Sequence, residues 1–222
     1  SFDIPWAPIF GNHDHDTYSP GYDSPKGVSD EWIMAQFASA ENCIFMEGPE
    51  NVDGCGNYIV HIKEQGTDKL IRALYFFDSL LVGVNDSHVQ FYRDAVAYTT
   101  ELNGGKTLES IVFVHIPLPE DATVYTQQLE KDFADTVGTV GRPATDLASG
   151  TTEFFKAIKE LGSTQNVIAG HDHENAYYIT YQGIKLIYNM KSSNGDDYHN
   201  VANTGGGVFT IGKTTEFRYE RA

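Results

Sequence analysis

The sequence predicts an α/β fold, part of a layered sandwich of helices and sheet. Helical and strand patterns alternate early in the chain, and the closing stretch is strand and turn alone. Helices packed on a sheet, with antiparallel hairpins at the end, answer to that mixture. A second observation gives the sheet a working edge. Three apolar runs, residues 6–10, 111–114 and 166–170, each stop abruptly at polar, metal-type side chains. They read as strands whose carboxyl ends meet, and open α/β sheets bind ligands at such ends. At 222 residues and 41% apolar composition the chain can bury one sizeable core. No repeat or linker divides it, so residues 1–222 are expected to be a single domain.

Each element has its own signal. Residues 6–10 are expected to be a buried strand that stops at Gly11 and presents Asn12, His13 and Asp14. His15 and Asp16 extend the run and read as a solvated loop pair. Residues 17–27 are rich in Tyr, Pro, Ser and Gly, which predicts an exposed loop. Ser29 has the character of a helix N-cap, and Asp30 and Glu31 favour the dipole behind it. Ile33, Phe37 and Ala40 then recur at helical spacing, and this helix is expected to pack on the sheet. Residues 43–46, 58–62, 70–77 and 80–84 carry strand patterns, with His61 read as a structural or exposed histidine. Val89, Tyr92 and Val96 mark an amphipathic helix over residues 88–102, with His88 capping or exposed at its start and Asn103-Gly104-Gly105 ending it.

The second site strand runs into His115. Pro117 and Pro119 predict an extended exit, and Glu120 reads as a solvated loop carboxylate. A short helix is expected over residues 126–133, then a loop carrying Arg142. Phe154, Phe155, Ile158 and Leu161 define a further helix, stopped by Gly162. The third site strand runs into His171-Asp172-His173. Two hairpins follow, turning at Gln182-Gly183 and Gly212-Lys213. Gly205-Gly206-Gly207 precede neither Gly-Lys-Ser/Thr nor a helix, so they read as a turn or bulge rather than a phosphate loop. His199 lies in a polar loop over residues 192–200.

Folding can therefore gather His13, His115, His171, His173 and the Asn12 amide at one sheet edge. Gly11-Asn12-His13-Asp14, the lone His115 and Gly170-His171-Asp172-His173, in that order, resemble the calcineurin-like metallophosphoesterase superfamily. The stretches IPWAPIFGNHDHD, VFVHIPLPE and GHDHENAYYITYQGIKLIYN are similar to the small purple-acid-phosphatase-like proteins of fungi, plants and protists. That resemblance runs from about Ile4 to Tyr219. It implies a layered α/β/β/α sandwich and a phosphatase or phosphodiesterase that uses a binuclear metal centre to activate water. By the resemblance, Asn12, His115 and His171 hold one ion and His173 the other. The resemblance implies that His13 acts near the phosphate as general acid or hydrogen-bond donor, and Asp14, next to it in sequence, is placed to orient it. The family's Asp-x-His and Gly-Asp-x-x-Asp/Tyr motifs, expected upstream of Gly11, are not there. Asp86-Ser87-His88 and Gly195-Asp196 lie elsewhere. The chain is thus expected to be the C-terminal portion of such a domain, partnered by a phosphate-ester substrate and a missing N-terminal segment. The alternative is a non-catalytic metal-binding module or half-domain.

Composition narrows the chemistry. The formal net charge is −16, and a nucleic-acid binder needs a basic footprint that this sequence lacks. An anionic ester meets repulsion here unless bound cations reverse the local field. Neutral imidazoles suit iron, zinc, manganese or similar divalent or trivalent ions, and an Asn carbonyl adds a harder ligand. His171 and His173 would share a face on a strand but splay apart in a loop. No apolar run reaches membrane-spanning length, and no signal-peptide pattern is present. Cys43 and Cys55 leave a disulfide and two free thiols equally open. The single sequon, Asn85-Asp86-Ser87, leans weakly toward the secretory route.

Overall fold

The computed structural model describes residues 3–18, 29–129, 137–139, 148–192 and 204–221. Strands β1 (Tyr58–Lys63), β2 (Leu70–Phe76), β3 (Ser110–Phe113), β4 (Val137–Thr139), β5 (Thr164–Ala169), β6 (Ala176–Tyr181) and β7 (Ile184–Tyr188) form one sheet, ordered β1-β2-β3-β5-β7-β6-β4. The central strands β2, β3, β5 and β7 are parallel, and the flanking strands are antiparallel. A separate antiparallel pair, β8 (Gly205–Ile211) and β9 (Thr215–Arg221), closes the chain. The helices are α1 (Asp30–Ser39), α2 (Asp86–Leu102), α3 (Pro119–Leu129) and α4 (Glu153–Leu161), with a 3-10 helix over Asn12–Tyr18.

Side chains alternate across a strand, and the two faces of this sheet differ accordingly. On one face Tyr75, Phe77, Val112, Val114, Val167 and Leu186 join the main core beneath α2 and α4. Phe77, Tyr92 of α2 and Phe154 of α4 meet there ring to ring. On the other face Ile111, Ile168 and Ile187 are covered by Phe209, Ile211, Phe217 and Tyr219 of the β8–β9 hairpin. A row of aromatic rings crosses this second face. Phe37 of α1 meets Phe45, Phe45 meets Tyr58, Tyr58 stacks on Phe76 at 4.6 Å, Phe76 stacks on Phe113 at 4.8 Å, and Phe113 meets Phe209. Each such pair adds about 0.5–1.5 kcal/mol beyond its buried area. The row ties the N-terminal part of the chain and the closing hairpin to the same side of the sheet. The mixed, layered α/β architecture expected from the sequence is present.

Several elements follow their signals closely. α4 stops at Gly162, which is left-handed at φ 65. Gln182 and Gly183, both at positive φ, make the tight β6–β7 turn. His88 completes a capping box with Asn85 at the start of α2 and is fully buried. His61 bonds Thr99 and is structural.

Others differ. Residues 6–10 are not a paired strand: Trp6 makes only an isolated parallel bridge to Cys43, and its side chain is 40% exposed, although Phe10 is buried. Residues 43–46 contribute only that bridge, because a parallel pair this short lacks the flanking strands that would stabilise it. Residues 80–84 are a turn rather than a strand, entered through Leu80 at φ 55, with Leu81 and Val82 exposed. Ser29 caps α1 as expected, yet no residue of α1 is fully buried. Pro119 opens α3 instead of prolonging an extended exit, since its missing N–H is no loss in a first turn. Glu120 beside it is buried. Gly205, Gly206 and Gly207 lie inside β8, paired with β9, not in a turn; a Cβ on Gly207 would come within 2.5 Å of the Phe217 ring and 2.8 Å of the Asn189 amide oxygen, so glycine there serves close packing. Cys43 and Cys55 are free thiols. Residues 19–27, residues 130–133, Arg142 and His199 lie outside the described residues.

Candidate functional site

The carboxyl ends of the parallel strands line up in register. Phe76 pairs with Phe113, Phe113 with Ile168, and Ala169 with Tyr188. Backbone hydrogen bonds carry that ladder past the strands, from Gly170 N–H to the His115 carbonyl and from Asn189 N–H to the Ala169 carbonyl. Asp78, His115, Gly170 and Asn189 therefore form a row across β2, β3, β5 and β7. By the two-residue alternation they are in phase with Phe76, Phe113, Ile168 and Ile187, on the face that carries the hairpin and the N-terminal segment.

His115 is the centre of the row. Its Nε2 lies 2.9 Å from the Asn12 Oδ1, so the 3-10 helix reaches over the end of β3. Gly11 permits this approach: a Cβ there would stand 3.1 Å from the His115 Cε1. The His171 ring meets the His115 ring edge-on at 5.2 Å. Burial first, then the neighbouring imidazoles of His171, His13 and His173, push His115 down to about 4. It is thus neutral across ordinary pH, the form in which imidazole ligates metals.

His171 and His173 leave the strand and enter a loop. His171 has φ 75, a conformation that costs a non-glycine residue about 1–3 kcal/mol and clusters at functional sites. The buried Asp172 holds the loop: its carboxylate accepts the Glu174 N–H at 2.8 Å and the Asn175 amide N–H at 2.9 Å. An open cavity of about 760 Å³ lies over the row, lined by His115, His171, His173, Asn189, Lys191 and the β8 glycines. The Asn189 Oδ1 is buried there with no hydrogen-bond partner among the described residues.

The rest of the motif is arranged as follows. His13 is exposed at the start of the 3-10 helix. The Asp14 carboxylate accepts the Gly11 N–H at 2.7 Å, which folds the loop back on itself. His15 is not a solvated loop residue. Its Nδ1 is 3.0 Å from the Asp30 carboxylate and its Nε2 is 3.1 Å from that of Asp78. These two contacts, Asp78 foremost, raise it to about 9 against the opposing effect of burial. The side chain of Asp16 lies outside the described residues.

The structure thus brings His115, His171 and His173 around one cavity, with Asn12 against His115 and His13 on the same 3-10 helix as Asn12. Asp78 and Asn189 join the row without having been singled out from the sequence. Both carry the signal used for the histidines, a polar residue ending an apolar strand. Chemically the donors suit a metal: a neutral, partly buried imidazole, further imidazoles and an unsatisfied amide oxygen. As a set they fall short. Among the described residues no three His, Cys, Asp or Glu side chains are placed to hold one ion.

No family model matches the chain, and no solved structure matches it. Among curated proteins it is 26% identical over 226 residues to Probable inactive purple acid phosphatase 29 of Arabidopsis thaliana, covering 91% of this chain and 53% of that protein. It is 26% identical over 228 residues to Probable inactive purple acid phosphatase 14 of the same plant, covering 91% and 52%. Over 193 residues it is 28% identical to Phosphatase DCR2 of Saccharomyces cerevisiae, covering 79% and 31%. The chain spans about half the length of the plant relatives and less of the yeast one.

Proposed function

The chain resembles the purple-acid-phosphatase-like branch of the calcineurin-like metallophosphoesterases over 91% of its length, and from that premise we propose that it is the C-terminal part of a metal-dependent phosphoric ester hydrolase. The observation that carries the reading is the contact of the Asn12 amide oxygen with His115 at 2.9 Å, which joins two separate motifs at one strand end. In this reading Asn12, His115 and His171 hold one ion and His173 helps hold a second. An upstream segment supplies the donors still lacking. The chemistry that ions held by these residues would supply is polarisation of a phosphoryl oxygen and activation of water at neutral pH.

The chain's own residues do the remaining work. In this reading the exposed His13 donates to a leaving oxygen, and the Asp14 carboxylate, by accepting the Gly11 N–H, fixes the backbone turn that carries it. Lys191, on the cavity wall, offers a positive charge in a strongly acidic protein. Ile4, Trp6, Ile44 and Met46 are large apolar side chains exposed along the isolated Trp6–Cys43 bridge. They are the surface an upstream segment would cover.

The test is elemental analysis and ester hydrolysis, run side by side on the full-length protein purified without chelator. His115→Ala should lose metal. His13→Ala should keep its metal and lose about 100-fold or more in hydrolysis of a nitrophenyl phosphate. Unchanged turnover in His13→Ala removes that residue from the chemistry, and unchanged metal in His115→Ala removes the metal assignment. A second reading, a non-catalytic half-domain, is favoured by the lack, among the described residues, of three His, Cys, Asp or Glu side chains placed to hold one ion, and by relatives whose names carry the word inactive. Metal-free, inert full-length protein is its expected outcome.

A further inference from the structure

Beside the imidazole cluster stands a charge arrangement that the proposed chemistry does not use. His15 sits between two carboxylates, with its ring 12% exposed and the Asp78 side chain fully buried. We propose that His15 is a positioning residue: held as an imidazolium between Asp78 and Asp30, it pins the 3-10 helix across the ends of β2 and β3 so that Asn12 reaches His115. The clamp stands on geometry alone. Its purpose, placing a ligand amide, rests on the hydrolase reading.

Both ring nitrogens face carboxylate oxygens, Nδ1 at 3.0 Å from Asp30 and Nε2 at 3.1 and 3.2 Å from the two oxygens of Asp78. A neutral imidazole has one N–H and one lone pair, so one of these contacts would be repulsive. The arrangement calls for two N–H groups. Asp78 also accepts the Cys55 N–H at 2.7 Å and the Leu80 N–H at 2.9 Å, as an ionised carboxylate does. Gly54, at φ +89, lets the surrounding loop close on it, since a Cβ there would lie 2.6 Å from the Asp78 Oδ2. Phe10 stacks on the imidazole at 5.3 Å, nearly parallel, which favours a cation.

Register converts the clamp into a positioning device. Asp78 and His115 each stand two residues beyond a paired phenylalanine on adjacent parallel strands. Residues three apart in a 3-10 helix lie one above the other, and Asn12 and His15 are three apart. One side of the helix thus meets both strand ends at once, His15 on Asp78 and Asn12 on His115. The other titratable groups nearby are Cys55, whose Sγ is 4.0 Å from Asp30 and whose thiol burial pushes up to about 11, and Glu31 and Glu47, which add to the negative field there. The upward shift of His15 agrees with its charged state.

The test is ¹⁵N NMR of the metal-free chain with labelled histidine. The His15 ring should carry two protons at pH 7.5 and titrate near 9, against an ordinary value of 6.5. Asp30→Asn, at a partner 32% exposed, should fold, lower that titration toward 6.5 and move the His115 Nε2 resonance. Asp78→Asn should do both more strongly. With metal added to the full-length protein, either variant should weaken binding about 10–100-fold. Titration of the unaltered His15 near 6.5 overturns the clamp. So does a folded Asp30→Asn variant whose His115 resonance is unmoved. A chain that meets the NMR expectations in a full-length protein with no metal and no hydrolysis keeps the clamp and removes the hydrolase reading.

Discussion

Gly11→Ala tests whether the His115 ring is as closely held as the structure shows. The backbone does not forbid the change, because Gly11 is outside the positive-φ glycines. The added methyl would lie 3.1 Å from Cε1 and 3.2 Å from both Nδ1 and Nε2 of His115. Carbon contacts are favourable from about 3.5 Å, so the ring must retreat by about 0.3–0.4 Å. Gly170 also packs on this ring, with its own hypothetical Cβ 3.5 Å from Nδ1. A retreat of that size takes the 2.9 Å contact with Asn12 to the edge of hydrogen-bonding range. Overpacking costs about 1–3 kcal/mol, and the alanine returns about 0.4–1 kcal/mol through the unfolded chain. The net loss is about 1 kcal/mol, or about 2–4 °C in Tm for a domain of this size. The effect on metal affinity should be larger, about 10–100-fold, as for other residues that orient a ligand. Calorimetry and a metal titration measure the two. Gly206→Ala, on the same cavity wall with open space around its Cβ, is the control and should be neutral in both. Wild-type affinity and Tm in Gly11→Ala would refute the confinement of His115.

Three further outcomes are expected. Asn85→Ala removes the N-cap of α2 and the bond from its amide nitrogen to Asp53, so it should cost about 1–2 kcal/mol in chemical denaturation. Burial pushes the Glu120 carboxyl up to about 7, and burial with Glu120 beside it pushes Asp121 up to about 8. Carboxyls that keep their protons only in the folded state weaken the fold as pH rises from their ordinary range to these values. Glu120→Gln should therefore raise Tm by about 2–4 °C at pH 8 and leave it unchanged at pH 4. His15 acts in a neighbouring window for the opposite chemical reason. Its stabilisation is complete below 6.5 and gone above about 9. Its replacement by Gln should flatten the stability profile across that interval, while a profile as steep as before would show that His15 carries none of it.

How much of this was legible in the sequence depends on how local each signal is. The parallel strands announce themselves as apolar runs, and His115 and His171-Asp172-His173 mark where β3 and β5 stop. The same rule, applied evenly, also marks Asp78 after β2 and Asn189 after β7. They go unnoticed because neither is a histidine and neither sits in a motif. The turn at residues 80–84 reads as a strand because Leu80, Leu81, Val82 and Val84 are apolar, yet Leu81 and Val82 are exposed. Hydrophobicity without a partner strand makes no ladder. His15 and Glu120 fail in the other direction. His15 looks solvated because polar residues surround it in sequence, and Glu120 because it follows two prolines in an expected loop, yet Glu120 is buried and the partners of His15 come from far along the chain. For His15 these are Asp30 and Asp78, and Asp78 is 63 positions away.

That last distance explains why the site is arranged as it is. A loop carrying Asn12 and His13 has no strand of its own to fix it, since Trp6 alone is paired and only by a bridge. Side chains that reach the sheet help to position it, among them Asn12 on His115 and His15 on Asp78. The first is a hydrogen bond between groups that a metal would compete for. The second is a charged contact on a fully buried carboxylate. Loss of the Asn12–His115 contact on metal binding would leave His15 to hold the loop. Chemical shifts of His15 that stay constant through a metal titration, while those of His115 move, are the expected result. If both move together, the clamp does not hold the loop independently of the ligands.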